Sequence, residues 1–161
     1  MPTITIASPK GGAGKSTTAV ILATELAHAG VPVTLLDCDP NMSVSLWASR
    51  GALPPRIKVL NDVTESTVIK TIKEFDRDGE IVIVDMEGVA SRLMSRAISQ
   101  ADLVITPMRA TTLDATIGAR AIALIMEEEE SLGRQIRYAA VFTMTKTVRS
   151  KQHSGIVASL R

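Results

Sequence analysis

The feature that most constrains the fold is a glycine- and lysine-rich loop at residues 9–17, with the sequence PKGGAGKST. It follows the apolar, β-branched segment 3–7 and precedes an Ala- and Leu-rich segment over 17–29. Strand, glycine loop and helix in this order form the context of a phosphate-binding P-loop, where converging backbone N–H groups and a helix N-terminus bind phosphate oxygens. In such a loop Lys15 reaches the β- and γ-phosphates of a nucleotide, and the Ser16 hydroxyl is a ligand of Mg²⁺.

The loop departs from the standard pattern G-x-x-x-x-G-K-[ST] at its first position, where Pro9 stands in place of glycine and Lys10 follows. Lys15 already serves the loop's own phosphates, so Lys10 needs another role. It is either a solvated loop lysine or a lysine that crosses to the nucleotide of a facing subunit, as an arginine finger does.

The remainder of the chain alternates short aliphatic runs with helical patterns. The predicted strands after the first are at 33–36, 57–60, 80–85, 103–106 and 138–144, and the predicted helices are at 17–29, 43–49, 65–75, 91–100, 114–130 and 151–160. We expect Pro107 to stop its strand and Gly133 to end the longest helix. This order predicts an α/β fold with a mostly parallel sheet and helices on both faces, in one domain over residues 1–161.

Composition excludes several classes of protein. The 161 residues carry a net charge of +1, so a nucleic-acid surface would have to be a local patch. The single cysteine, Cys38, excludes an internal disulfide and also a cluster-bridging iron–sulfur reductase, which needs two cysteines per subunit. The sequence has no run of 18 apolar residues and no signal-peptide pattern at its start, so we expect a cytoplasmic protein that does not span a membrane.

Aspartates mark the carboxyl ends of two predicted strands, where ligands of parallel sheets bind. Asp85 closes the run IVIV and is placed as a Walker B carboxylate that holds Mg²⁺ through water, although it could be only a cap for the next helix. Asp37 and Asp39 are two positions apart at a strand exit, so both side chains are expected to point toward the phosphates. An Asx-type turn at Pro40 is compatible with that reading.

The loop over residues 10–17 resembles the deviant Walker A motif of the ParA/MinD superfamily of P-loop ATPases, which are SIMIBI-type proteins. The resemblance implies ATP and Mg²⁺ as cofactors and an ATP-sandwiched homodimer in which Lys10 touches the phosphates of the partner. It implies that the nucleotide-binding residues are Gly11, Gly12, Ala13, Gly14, Lys15, Ser16 and Thr17.

The segment DCDPN at 37–41 is similar to the ParA-type pattern, which implies roles for its two aspartates. Asp37 would support the magnesium shell together with Ser16 and Asp85, and Asp39 would position the attacking water. The catalytic residues implied are therefore Lys10, Lys15 and Asp39. Asn41 stands where the family often has Gln.

The segment NMSVSLW at 41–47, together with Pro9, resembles the small ParF-like ParA proteins of plasmid partition, which lack an N-terminal DNA-binding domain. The resemblance implies slow ATP hydrolysis stimulated by a small centromere-binding protein, nonspecific DNA binding by the ATP dimer, and association with the nucleoid. The basic residues that could serve DNA, unless they are simply scattered solvated charges, are Arg92, Arg96, Arg109, Arg134, Arg137, Lys146, Arg149, Lys151 and Arg161.

Two departures from the family pattern stand out. Glu87 follows Asp85 closely, where the family has small residues or prolines; it is an extra base, a source of repulsion toward nucleotide, or, as we expect, a cap for a helix beginning near Val89. The chain also stops at Arg161, inside a predicted helix, so the C-terminal part found in the family is expected to be missing. The strand end at 143–146 would then neighbour adenine.

Two other functions on the same fold stay open. A MinD-like, membrane-associated positioning ATPase would need a C-terminal amphipathic helix, for which residues 154–161 are too short to decide. An ATP-dependent ligase acting on a small carboxylated molecule would not need an ATP-driven dimer, and Lys10 with the Asp37 and Asp39 pair counts against it.

Overall fold

The computed structural model describes residues 2–51, 53–88 and 91–145, apart from the side chains of 112–115 and 117. The strands in this part are β1 (Thr3–Ile6), β2 (Val33–Cys38), β3 (Ile57–Leu60), β4 (Ile81–Met86), β5 (Leu103–Arg109) and β6 (Arg137–Thr143). The helices are α1 (Lys15–His28), α2 (Ser43–Ser49), α3 (Val68–Arg77), α4 (Arg92–Ile98) and α5 (Thr112–Leu132). The helix predicted over 151–160 lies outside the described residues.

The strands form one sheet in the order β3-β2-β4-β1-β5-β6, and every neighbouring pair is parallel. Aliphatic side chains alternate between its two faces, as they must in a pleated strand. In β4, for example, Val82 and Val84 face one apolar core while Ile81 and Ile83 face the other. Both faces are buried, which explains the continuous aliphatic runs in the sequence.

The two cores lie beneath different helices. Helices α3, α4 and α5 cover one face, through residues such as Ile72, Met94 and Ile125. Helices α1 and α2 cover the other face, where Ala19 and Ala23 are fully buried against the sheet. The α/β prediction with helices on both faces of a parallel sheet is therefore confirmed.

One predicted boundary is wrong for a clear reason. Pro107 does not stop β5, which continues to Arg109. The carbonyl of Ile105 accepts a hydrogen bond from Ala7 on the β1 side, so the backbone of Pro107, two residues on, faces the same side. Because β1 has ended at Ile6, no partner on that side requires the N–H that proline lacks.

A second boundary differs at α3, which begins at Val68 and not at Glu65. The preceding residues form a turn in which the Thr67 hydroxyl accepts a hydrogen bond from the backbone N–H of Thr64 at 2.9 Å. Side chains of this kind compete with helical hydrogen bonding and shift the start of a helix. The end of α5 is as predicted: Gly133 follows its last residue and has φ 63°, a left-handed conformation that is typical of a glycine ending a helix.

The edge strand β6 differs from the other strands in its surroundings. Its first five residues, Arg137–Val141, are all exposed, although alternate residues point to opposite faces. Within the described residues, neither face of this part of β6 is covered.

The described helices also include none that combines the length and the apolar character needed to cross a membrane.

Candidate functional site

The P-loop lies between the end of β1 and the start of α1, and glycines set its shape. Gly12 and Gly14 have φ values of 71° and 89°, a region that other residues rarely occupy. Gly14 is the N-cap residue of α1 and provides no side chain to the first helical N–H groups. Those N–H groups are therefore available to an anion, as the sequence predicted for a phosphate loop.

The two loop lysines differ in their surroundings. Lys15 is buried, and its Nζ donates a hydrogen bond to the backbone carbonyl of Lys10 at 3.3 Å. Lys10 is half-buried at the beginning of the loop. A primary ammonium held on a loop carbonyl can exchange that neutral partner for a phosphate oxygen, which is the stronger acceptor because it is charged.

Asp37 and Asp85 lie side by side, because β2 and β4 are adjacent and pair these two residues in register. Both are buried. One oxygen of Asp37, Oδ2, accepts hydrogen bonds from the backbone N–H and the hydroxyl of Ser45, at 2.8 and 2.7 Å. Its Oδ1 and both oxygens of Asp85 have no hydrogen-bond partner.

This arrangement perturbs the pKa of Asp85. Burial is the main cause and raises the pKa to about 7, and the nearby Asp37 adds to the effect, while Ser16 and Lys15 oppose it. The same burial, with Asp37 and Asp85 nearby, raises the pKa of the Cys38 thiol to about 12, so Cys38 stays protonated and unreactive. Buried carboxylate oxygens without a partner are costly unless a cation compensates them.

The donor set fits magnesium. Mg²⁺ prefers oxygen ligands and usually binds through one or two carboxylates plus phosphates and water. Within the described part of the chain, no group of three or more acidic, histidine or cysteine side chains could hold a metal by itself. A magnesium ion at Asp37 and Asp85 would therefore depend on the Ser16 hydroxyl, nucleotide phosphates and water for its remaining ligands.

Asp39 follows β2 and lies at the wall of the same cleft. Its Oδ1 accepts hydrogen bonds from the backbone N–H and the side-chain amide of Asn41, at 2.8 and 2.7 Å. The predicted Asx-type turn is thus present. These hydrogen bonds fix the orientation of the Asp39 carboxylate through Oδ1. Its Oδ2 accepts no hydrogen bond from the described residues.

The cleft itself has a volume of about 560 Å³, which is a usual size for a small-molecule site. Its lining combines the loop with the ends of β2, β4 and β6, and the residues are Gly11, Gly12, Gly14, Lys15, Ser16, Thr17, Asp39, Pro40, Asn41, Ser43, Glu87, Gly88 and Met144. Most of the predicted nucleotide-binding residues therefore meet in one cleft. Ala13 belongs to the loop, but it is buried and does not line the cleft.

The expectation for Glu87 is wrong. Helix α4 begins at Arg92 and is capped by Ser91, whose hydroxyl accepts the backbone N–H of Met94 at 3.2 Å. Glu87 instead lines the cleft and is half-buried there. Serine displaces it as the cap because its short side chain reaches the helical N–H directly.

Several site residues were not found from the sequence. Ser45, which holds Asp37, carries no local signal beyond its position in α2. Arg109 was assigned to a basic surface, yet its guanidinium donates to the carbonyl of Gly12 at 3.0 Å. Arg134, assigned to the same basic surface, lies away from the site and donates to the carbonyls of Ser99 and Ala101, just before β5, at 2.8 and 3.1 Å. The contacts of the two arginines span 33 to 97 positions in sequence, so no local pattern indicates them.

Comparison with known proteins agrees with this geometry. Protein ParA of Rhizobium radiobacter is 63% identical over 161 residues, which cover 99% of this chain and 72% of the relative. Several other curated relatives are matched over about half of their length, 52% in each case. The activity and partners of the whole protein are therefore matters for a proposal.

Solved structures share the fold at low sequence identity. Cobyrinic acid a,c-diamide synthase from Mycobacterium smegmatis, with bound ADP and magnesium, has a TM-score of 0.83 at 17% identity, covering 99% of this chain and 81% of the other. A plasmid partition protein from Borrelia burgdorferi has a TM-score of 0.79 at 18% identity, with 99% and 87% covered.

The family model described as the CobQ/CobB/MinD/ParA nucleotide binding domain matches residues 4–158, which include every part of the cleft. Together with the close relative named ParA, the match confirms the resemblance that the loop and the DCDPN segment indicated. The chain is a member of the CobQ/CobB/MinD/ParA nucleotide-binding domain family.

Proposed function

We propose that this protein is a ParA-type ATPase that works as a nucleotide-driven dimerisation switch in DNA partition. ATP closes a homodimer, the dimer binds DNA without sequence preference, and a small centromere-binding partner stimulates the slow hydrolysis that releases it. The observation that carries the proposal is the cleft formed by the P-loop, beside which the buried Asp37 and Asp85 keep three carboxylate oxygens without a protein partner. Such a cleft suits a Mg-nucleotide.

The chemistry divides among the residues of the chain. Loop N–H groups and Lys15 bind the phosphates, and Asp37, Asp85 and Ser16 hold Mg²⁺. When bound, Mg²⁺ neutralises charge on the phosphate oxygens. Asp39, fixed by Asn41, orients a water molecule toward the γ-phosphorus and accepts its hydrogen bond. Phosphoryl transfer depends mainly on positioning and charge, so a group delivered by a partner changes the rate strongly.

Two observations support a dimer whose subunits face each other across the cleft. Lys15 is buried and lines the cleft, whereas Lys10 is half-buried at the beginning of the loop and does not line it. Large apolar side chains are also exposed at or beside the cleft, where a second subunit would bury them. Met42 and Leu46 are 49% exposed, and Met144 is 64% exposed.

A basic groove between α3 and α4 supports the DNA-binding step. We call it the α3–α4 groove; it has a volume of about 820 Å³, and its basic residues are Lys70, Lys73, Arg77 and Arg96. The groove also contains Glu74 and Asp78, so its formal net charge is +2 (four basic minus two acidic residues). Phosphate backbones would compensate this charge.

The test is the mass of the protein in solution, measured by light scattering with Mg-ATP and with Mg-ADP. We expect Asp39→Ala to bind ATP, to hydrolyse it at least about 100-fold more slowly and to remain a dimer with ATP only. Lys10→Ala should bind nucleotide and remain a monomer, because it loses the contact across the interface. Lys70→Ala, in the α3–α4 groove, removes the same charge away from the cleft and should dimerise normally.

Other outcomes would contradict the proposal in separable ways. A protein that stays monomeric with both nucleotides would exclude the switch and favour a small-molecule enzyme on this fold. An unchanged ATP-dependent dimer of Lys10→Ala would exclude the role of that lysine only. Rapid turnover by Asp39→Ala would exclude Asp39 as the residue that positions water.

A further inference from the structure

Two side chains that do not line the cleft hold the P-loop from the outside. Arg109 is the last residue of β5, and its Nη2 donates a hydrogen bond to the carbonyl of Gly12 at 3.0 Å. Thr143 is the last residue of β6, and its hydroxyl donates to the carbonyl of Ala13 at 2.8 Å, with the carbonyl of Met108 a more distant acceptor at 3.3 Å. We call these two residues the clamp. It joins the loop to strands 97 and 130 positions away in sequence.

The clamp fixes two consecutive peptide groups. A peptide group is planar and trans, so its N–H points away from its carbonyl. With the carbonyls of Gly12 and Ala13 directed toward the ends of β5 and β6, the N–H groups of Ala13 and Gly14 are directed to the opposite side. In the sheet order, that is the side on which β4 and β2 carry Asp85 and Asp37.

Without the clamp these peptide groups would be free to rotate. Gly12 and Gly14 have no Cβ atom, and glycine occupies positive and negative φ with little difference in energy. The side chain of Thr143 also occupies the space beside Gly14, since its Cγ2 would lie 3.3 Å from a Cβ placed there. The hydroxyl and the methyl group of Thr143 thus restrict the loop at adjacent residues.

We propose that Arg109 and Thr143 are positioning residues that preorganise the P-loop for the phosphates of a nucleotide. They do so by holding its carbonyls away from the cleft, so that its N–H groups face the phosphates before the ligand arrives. The inference rests on the proposed function only in taking a nucleotide as the ligand. It does not require the dimer, DNA or hydrolysis.

The test is the dissociation constant of Mg-ADP, measured by calorimetry on the full chain. Thr143→Val keeps the shape of the side chain and removes the hydroxyl, so ADP should bind on the order of 2–12-fold more weakly, the effect of one hydrogen bond. Thr143→Ser restores the hydroxyl and should recover most of that affinity. Arg109→Met should weaken binding by a similar factor in both 50 mM and 500 mM salt, whereas loss of long-range attraction alone would disappear at the higher salt.

Thr24→Val is a matched control. Its hydroxyl also donates to a backbone carbonyl at 2.8 Å, that of Val20, but in the middle of α1 and away from the loop. This variant should bind ADP as the wild type does. The melting temperature without nucleotide should be similar for all Thr143 variants, because Thr143 ends an edge strand and is half-buried.

Each remaining outcome rejects a defined claim. Wild-type affinity in Thr143→Val, or equal losses in the Val and Ser variants, would overturn the clamp while leaving the nucleotide site in place. If the wild type binds no ADP, both the clamp and the nucleotide site are overturned. A wild type that binds ADP but never dimerises leaves the clamp standing and contradicts only the proposed switch.

Discussion

At the scale of single residues, the site is organised around two buried carboxylates, Asp37 and Asp85, which keep three oxygens without a hydrogen-bond partner. Asp85 is fully buried, neither of its oxygens accepts a hydrogen bond, and burial raises its pKa to about 7. Such a group opposes folding when it is ionised, since the unfolded chain solvates it freely. The arrangement is stable only because the surrounding aliphatic core outweighs this cost, and a bound cation would remove it.

Asp85→Asn should therefore have opposite effects on stability and on function. We expect it to raise the free energy of unfolding without nucleotide by about 1–3 kcal/mol at pH 8, because an unpaired buried charge is removed. It should also abolish magnesium-dependent nucleotide binding. Urea unfolding with and without Mg-ADP measures both, and a variant that is less stable than wild type would contradict the cost assigned to Asp85.

Gly88 is the second residue whose identity matters individually. A Cβ atom there would lie 2.8 Å from the backbone nitrogen of Gly11 and 2.9 Å from the carbonyl carbon of Lys10. Backbone atoms cannot move aside as a flexible side chain can, so the added methyl group must displace the P-loop.

Gly88→Ala should accordingly weaken Mg-ADP binding by on the order of tenfold or more. The matched control is Gly51→Ala, since a Cβ at Gly51 would meet no atom within 4 Å and its φ is not positive. Fluorescence titration of both variants gives the comparison. Equal affinities would show that the β4–α4 connection adapts without disturbing the loop.

At the scale of elements, hydrogen bonds to the carboxylate of Glu80 join β2, β3 and β4 near their amino ends. Glu80, directly before β4, is buried and accepts hydrogen bonds from the hydroxyl of Thr34 in β2 and from Lys58 in β3. Lys58 also lies over the ring of Phe75 in α3, with its Nζ 5.5 Å from the ring centre. Burial raises the pKa of Glu80, but the hydrogen bonds from Lys58 and Thr34 outweigh it and lower the pKa overall.

The lowered pKa of Glu80 predicts a pH dependence of stability. A carboxyl group with a lower pKa in the folded state stabilises the fold above its unfolded pKa of about 4.5, and this contribution is lost as the pH falls through the folded value. Glu80→Gln should lower the free energy of unfolding by about 1–3 kcal/mol at pH 6 and by progressively less below pH 4.5. Glu25→Gln, on the exposed side of α1, is the control. If the difference in free energy of unfolding between Glu80→Gln and wild type does not become smaller in acid, Glu80 does not have the lowered pKa on which this prediction rests.

At the scale of the whole molecule, the cleft and the α3–α4 groove are separate surfaces that the proposed switch must connect. The net charge of +1 cannot attract DNA by itself, so affinity would come from local clusters such as this groove. Of the arginines first assigned to DNA, Arg149 and Arg161 lie outside the described residues. Among the described ones, Arg109 and Arg134 are engaged within the fold, and Arg96 belongs to the groove.

The salt dependence of DNA binding measures this contribution. Each lost phosphate contact makes the slope of log K against log salt concentration shallower by about one. Lys70→Gln combined with Lys73→Gln should reduce the slope by about two in the ATP-bound Asp39→Ala background. Arg50→Gln with Arg56→Gln, two exposed residues outside the groove, removes the same charge and is the control. Equal slopes for both pairs would place the DNA surface elsewhere.

Local structure in this protein follows from short stretches of its sequence. The spacing of glycines and lysines at 9–17 specified a phosphate loop, because glycine adopts the positive φ values found at Gly12 and Gly14 without the steric cost that a side chain adds. Aliphatic runs specified the strands, and Asp37, Asp39 and Asp85 were correctly expected at or just after strand ends, since parallel strands place such residues on one edge.

Contacts between residues far apart in the sequence depend instead on how the strands assemble. The register of β2 against β4 sets Asp37 beside Asp85 and leaves three carboxylate oxygens without partners. The order of β1, β5 and β6 brings Arg109 and Thr143 to the loop and allows Pro107 within a strand. The end of β4 places Glu87 at the cleft. The physical reason is that periodicity and backbone preference act over a few residues, whereas these contacts depend on strand order and register across the whole sheet.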